Sequence, residues 1–171
     1  ECITATPLTV GGSCTYTTYT TAGATTSSTT GTPAPRCGSY SGGDVWFSVV
    51  VPASGVLILD SQAGVMTDSG MALYSGSCGA LTLIECDDDD SGNGTMSYIN
   101  RGGLTPGATL YIRFWEFGND NNGTFGICAS TFIPCVATNV PYTQNFDSVT
   151  QPNLPPCVYV ENNNSDANFW K

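Results

Sequence analysis

The stretch Glu85-Cys-Asp-Asp-Asp-Asp-Ser-Gly-Asn-Gly94 sets four carboxylates in a row beside a cysteine. Neighbouring carboxylates repel. At about 6 Å in water each of the pairs in such a run costs roughly 0.7 kcal/mol, and more where solvent is excluded. A hard divalent cation reverses that sign, and calcium takes six to eight oxygens from carboxylates, carbonyls and Asn side chains. Asp87, Asp89, Ser91 and Gly92 give D-x-D-x-S-G, and Asp89, Ser91, Asn93 and Gly94 give D-x-S-x-N-G. Oxygen ligands at alternate positions before a turning glycine are the local geometry of calcium loops. The twelfth position of either register is Tyr98 or Asn100 instead of Glu, and no flanking helix is evident, which excludes an EF-hand. The expected ligands are Asp87, Asp88, Asp89 and Asp90, with Asp68 of the neighbouring loop. Asp44, Asp60, Glu116 and Asp120 are weaker candidates. The alternative is a solvated acidic turn without metal.

The scaffold that must hold this run is all-β. Apolar residues alternate or cluster in short runs separated by Gly, Pro, Asn and Asp, and no 3.6-residue period stands out. Strands are expected near 15–20, 45–51, 55–60, 71–74, 81–86, 95–100, 109–115 and 123–129. In Thr109-Leu-Tyr-Ile-Arg-Phe-Trp115, Leu110, Ile112 and Phe114 share one face; Tyr111, Arg113 and Trp115 share the other. Asn122-Gly123 reads as a hairpin turn, and Pro52–Gly55 and Thr105–Gly107 as further turns. Eight short strands at this spacing point to a jelly-roll-like, two-sheet antiparallel sandwich. Residues 25–35, rich in Ser, Thr, Gly and Pro, form a loop or irregular edge. The expected domains are a disulfide-linked sandwich over residues 1–130 and, over 131–171, a linker and the opening of a second β domain. For the latter, a tail packed on the first domain is the alternative. Glu1 at the start, without a signal peptide, reads as a mature or excised piece.

Eight cysteines, even in number, scattered along the chain and without a CxxC, indicate disulfides and an oxidising compartment. Eight allow 105 connectivities. Proximity along the chain suggests Cys78–Cys86, Cys2–Cys14 and Cys135–Cys157, which leaves Cys37–Cys128.

The formal net charge is -10, from 4 Lys plus Arg against 14 Asp plus Glu, which disfavours nucleic acid and anionic lipid as partners. No apolar run reaches the length of a membrane span. The chain has no His, so no Ser-His-Asp or Cys-His pair can form, and zinc and copper lose their commonest ligand. Glu116 beside Trp115 is the one suggestive catalytic couple, and an edge residue near a hairpin explains it far better. The chain is therefore expected not to be an enzyme.

The order GGDVWFSVVVPASGVLILDSQ, MTDSGMALYSGSCGALTLIECDDDD, GLTPGATLYIRFWEF and GTFGICAS resembles the bacterial pre-peptidase C-terminal domain and its CUB-like relatives over 37–130. The tract VPYTQNFDSV…PPC resembles the opening of a cleaved-adhesin or MAM-like domain. The resemblance implies a secreted or cell-surface accessory module of a Bacteroidetes-type multi-domain protein. It also implies calcium held by acidic loops, here Asp68 and Asp87–Asp90. Asp147-Ser148-Val149 is similar to the O-glycosylation motif of that group, at Ser148. The N-x-S/T sequons at Asn93, Asn122 and Asn163 read as products of Asn-rich turns. Two functions remain open. One is a calcium-stabilised structural or adhesin-like module whose partners are neighbouring domains or subunits. The other is a carbohydrate-binding accessory module of a secreted hydrolase, with Trp115 and Tyr111 stacking on surface glycans and Phe117 and Tyr74 beside them.

Overall fold

The computed structural model describes residues 1–132. Cys135, Cys157, Ser148 and Asn163 lie outside the described residues. Ten strands form: β1 (Thr6–Pro7), β2 (Val10–Gly11), β3 (Thr17–Thr20), β4 (Val45–Val50), β5 (Leu57–Ala63), β6 (Ser69–Ser77), β7 (Ala80–Asp87), β8 (Tyr98–Arg101), β9 (Thr109–Glu116) and β10 (Thr124–Ser130). One sheet runs β1-β4-β9-β6-β7 and the other β2-β10-β5-β8, with β3 also on β10. The pairs are antiparallel except β1 with β4 and β2 with β10, which are parallel. From β4 onward the chain passes between the sheets at every connection but one, the β6–β7 hairpin. The described residues form a two-sheet, all-β sandwich, as the alternation of their sequence requires.

All eight expected strands form. The two additional ones are two-residue segments at the sheet edges, too short to carry a period. Asn122-Gly123 is not a hairpin turn. It lies on the passage from β9 to β10, which belong to different sheets, and neither residue takes a positive φ. The expected Thr105–Gly107 turn does form. Ala108 N–H donates to Thr105 O at 3.1 Å, with Gly107 at φ 79°.

Between the sheets, Leu110, Ile112 and Phe114 of β9 pack with Phe47 and Val49 of β4 against Leu57, Leu59, Phe125 and Ile127. Phe114 stacks on Phe125 with centroids 4.2 Å apart. An antiparallel sheet commonly leaves its other face to water. The sheet containing β9 does so only in part. On its outer face Trp46, Ala72, Tyr74, Leu81 and Trp115 form a second buried layer with Cys2, beneath Cys37 and Tyr40 of the long loop 21–44. Trp46 and Phe47, adjacent in sequence, are therefore both buried, one in each layer.

The disulfides are Cys2–Cys78, Cys14–Cys128 and Cys37–Cys86, so the three expected pairings among these residues are corrected. Cys78 sits in the β6–β7 turn and Cys86 at the far end of β7. Eight residues of strand separate their Cα atoms by roughly 26 Å, whereas a disulfide spans at most about 7 Å. Cys2 precedes β1 of one sheet and Cys14 follows β2 of the other, so the two lie against opposite sheets. Cys14 lies between β2 and β3, both of which flank β10, and so meets Cys128. Cys37 fastens the covering loop to β7. Three disulfides fit an oxidising, non-cytoplasmic compartment. Among the described residues no helix is long and apolar enough to cross a membrane.

Two variants check the second layer. A Cβ added at Gly70 would fall 2.1 Å from Cε2 of the buried Trp115, whereas one at Gly102 meets nothing nearer than 3.8 Å. Gly70→Ala is expected to cost about 1–3 kcal/mol or more in urea unfolding, as overpacking does, and Gly102→Ala close to nothing. Cys14→Ser opens a bridge across 114 residues and is expected to cost about 5 kcal/mol in the loop-entropy model.

Candidate functional site

Three adjacent strands end together at one edge of the sheet. Ser69, the first residue of β6, pairs with Glu116, the last of β9, and Met71 pairs with Asp87, the last of β7. Antiparallel pairing thus sets Asp68, just before β6, between Glu116 on one side and Asp88 and Asp89 on the other. Phe117 N–H donates to Asp68 O at 3.3 Å, and Asp120 N–H to Glu116 Oε2 at 2.7 Å, which folds Asp120 back onto the group. Burial first, then the charges of Asp89, Glu116, Asp88 and Asp120, push the Asp68 carboxyl above its ordinary value. Asp68 Oδ1 is buried and has no hydrogen-bond partner among the described residues. Glu116 is only 2% exposed.

The acidic run itself divides. Asp87 turns inward, and its Oδ1 accepts Tyr98 N–H at 2.7 Å and Asp90 N–H at 3.3 Å. Burial raises its pKa, the two backbone donors lower it, and the neighbouring Asp90 raises it again; the net shift is upward. Ser91 Oγ donates to Asp60 Oδ1 at 2.7 Å, and Asn93 Nδ2 donates to the Tyr16 hydroxyl and to Ser61 O. Asp87, Ser91 and Asn93 are thus engaged in holding the 87–97 loop. The alternate-residue register does not form a ligating loop. Asp88 and Asp89 carry its charge toward Asp68, while Asp90 is exposed. Glu116 and Asp120, the weaker candidates, join this cluster; Asp44 and Asp60 do not. Among the described residues, no three His, Cys, Asp or Glu side chains already converge as a metal-holding group.

The loop rests on a buried floor of serines. Ser69 and Ser97 hydroxyls are 2.9 Å apart, and Ser61 Oγ donates to Ser97 O at 2.7 Å, joining β5 to β6 across the sandwich. Asp60 lies inside β5, and Tyr16 and Ser91 both donate to it.

Asp44 serves a different purpose. It is 4% exposed and pairs with Arg113, which is 1% exposed, with Nε at 3.2 Å from Oδ2. Tyr40 OH and Trp46 Nε1 donate to its carboxylate at 2.7 Å each, and Ser27 N–H at 2.9 Å. Arg113 Nη2 donates to the Tyr40 hydroxyl, and the guanidinium lies 4.0 Å over the Tyr40 ring. Burial works against the Asp44 charge, but the hydrogen bonds from Ser27, Tyr40 and Arg113 outweigh it and hold the carboxyl below its usual value. Sequence reasoning missed this pair. Its signal is an Arg within the apolar alternation of 109–115, in a chain with only four basic residues.

Trp115 and Tyr74 are both 0% exposed and present no ring to solvent. The expected stacking platform at Trp115 is therefore corrected: the outer layer covers it. Tyr111 is half-buried and Phe117 is 38% exposed. Two of the Asn sequons are occupied by structure. Asn93 Nδ2 holds the contacts above, and Asn122 Nδ2 donates to Asn119 Oδ1 at 2.7 Å. Neither a family model nor a curated protein matches the chain.

These shifts predict a pH profile. Asp68 and Asp87 bind their protons more tightly folded than unfolded. Their contribution is unfavourable above the raised values and is relieved as pH falls toward 3.8. Asp44 acts oppositely: its contribution is present above 3.8 and lost as pH falls through its lowered value. In EDTA at fixed ionic strength, the urea midpoint is expected to rise as pH drops from neutral into the carboxylate range. It then falls below pH 3.8.

Proposed function

We propose that this chain is a non-catalytic, calcium-stabilised module of a secreted or cell-surface bacterial multi-domain protein, structural or adhesin-like. The observation that carries the reading is the position of Asp68. Its buried oxygen has no donor among the described residues, and burial together with the charges of Asp89, Glu116, Asp88 and Asp120 raises its carboxyl. A strand edge that gathers carboxylates with no Lys or Arg paired to them among the described residues suits a hard cation with oxygen ligands. Asp89 is exposed, so its rotamer can close onto Asp68 at small cost. Magnesium suits the group less, since it keeps more of its water.

The residue inventory supports a non-catalytic role. The chain has no His, and the six cysteines among the described residues are all in disulfides. The phrase order shared with pre-peptidase C-terminal and CUB-like modules supports secretion and an accessory place beside other domains. Its partners are then neighbouring domains or subunits of the same assembly.

Calorimetry and thermal melts test the metal. At a calcium concentration about 100-fold above Kd, linkage adds about 2.7 kcal/mol, a rise in Tm on the order of 10 °C for this size. EDTA reverses it, and magnesium gives much less. Asp68→Asn is expected to raise the Tm in EDTA, by removing a carboxylate from a repulsive cluster, and to abolish most of the calcium increment. A Tm indifferent to calcium in the unaltered protein would reject the reading.

A further inference from the structure

The second layer covers only the half of the β4–β9 face nearest the acidic edge. In the other half the outward side chains are Ser48, Val50, Thr109 and Tyr111. Ser48 faces Tyr111 directly across the two strands, and Val50 faces Thr109. Val50 is 57% exposed, and Ile3, which borders this bare half, is 81% exposed. In this half lies a cavity of about 180 Å³ lined by Ile3, Ala5, Ser48, Thr109, Tyr111 and the Cys2–Cys78 disulfide. The disulfide fixes the wall that carries Ile3, so the cavity is built and does not depend on a loop closing.

Its chemistry is specific. No charged residue lines it, although the chain carries a net charge of -10. Three hydroxyl-bearing side chains, Ser48, Thr109 and Tyr111, line it, and none of their hydroxyls is hydrogen-bonded to another described residue. A hydroxyl both donates and accepts, and a half-exposed aromatic ring offers a flat apolar surface beside a polar tip. A ligand that matches uncommitted hydroxyls without charge, while laying C–H groups on a ring, is a neutral polyhydroxylated one. We propose that this cavity is a subsite for one neutral pyranose unit of a glycan, with the Tyr111 ring beneath the sugar face and the Ser48 and Thr109 hydroxyls bonded to its hydroxyls. Anionic ligands are disfavoured by the absence of a cation in the lining. The proposal does not rest on the metal reading, because the cavity is at the opposite end of the strands from the acidic edge.

The test is saturation-transfer and chemical-shift NMR on the full chain, in calcium-containing buffer. The probes are methyl glycosides of glucose, galactose, mannose, fucose and N-acetylglucosamine, with sialic acid and glucuronic acid as anionic controls. A single shallow unit is expected to bind with Kd in the millimolar range, shifting resonances of Ser48, Thr109 and Tyr111. Tyr111→Ala is expected to weaken binding about tenfold or more. Thr109→Val, at an exposed position, is expected to weaken it about fivefold, the value of one net hydrogen bond. Thermal melts of both variants establish that they remain folded. Absence of any shift at these residues with every neutral glycoside overturns the proposal. So does binding that survives Tyr111→Ala in a folded protein, or a preference for the anionic sugars.

Discussion

The Arg113–Asp44 pair is the constraint on which the rest of the structure turns. Arg113 sits in the middle of β9, the central strand of its sheet, and points to the outer face. With that face bare, the guanidinium would sit in water. Loop 21–44 covers it, and so the charge must be answered where it lies, because an unpaired buried ion costs several kcal/mol. Asp44 and the Tyr40 hydroxyl answer it, Ser27 and Trp46 donate to the Asp44 carboxylate, and three of these four residues come from the covering loop or its junction with β4. The pair therefore does more than neutralise a charge. It dictates where a loop without regular structure must lie, with Cys37–Cys86 fastening the same loop at a second point.

From that placement the two ends of the sheet acquire different characters. Under the loop, Trp115 is sealed in, and Gly70 is left without room for a side chain. The strand ends beside them then emerge as the edge that gathers Asp68, Asp88, Asp89, Glu116 and Asp120. Beyond the loop's reach, β4 and β9 carry Thr109, which is exposed, and Ser48 and Tyr111, which are half-buried, with Tyr111 packed against the second layer. One edge is strongly acidic and the other end is neutral and hydroxyl-bearing. Metal and sugar readings attach to separate places for this reason, and the failure of one leaves the other intact.

Much of the scaffold was legible because alternation encodes it directly. Leu110, Ile112 and Phe114 announced the inner face of β9, and each expected strand forms close to its expected bounds. The segments Thr6–Pro7 and Val10–Gly11 were not legible, since two residues carry no period and Pro and Gly speak against a strand. The disulfides were hidden because proximity in sequence says nothing about which sheet a residue joins. Cys2 and Cys14 are twelve positions apart and lie against opposite sheets. Aromatic residues on both faces of β9 were read as core and platform, when they signalled two buried layers. Part of the candidate site was visible, in the acidic run and Asp68. The loss of Asp87, Ser91 and Asn93 to loop hydrogen bonds was not, because a ligand pattern and a self-bonded turn use the same residues. Asp44 read as a weaker metal ligand, since nothing local marks the distant Arg113 as its partner.

The most direct test is a double-mutant cycle by urea unfolding with Asp44→Leu, Arg113→Met and the two combined. Each single change strands the other charge in a dry site and is expected to cost about 3–5 kcal/mol. Removing both leaves nothing to neutralise, so the combined variant is expected to fall short of the sum by at least about 2 kcal/mol. Costs that add to within about 0.5 kcal/mol, as for independent sites, would show that the two side chains do not depend on each other and would contradict this account.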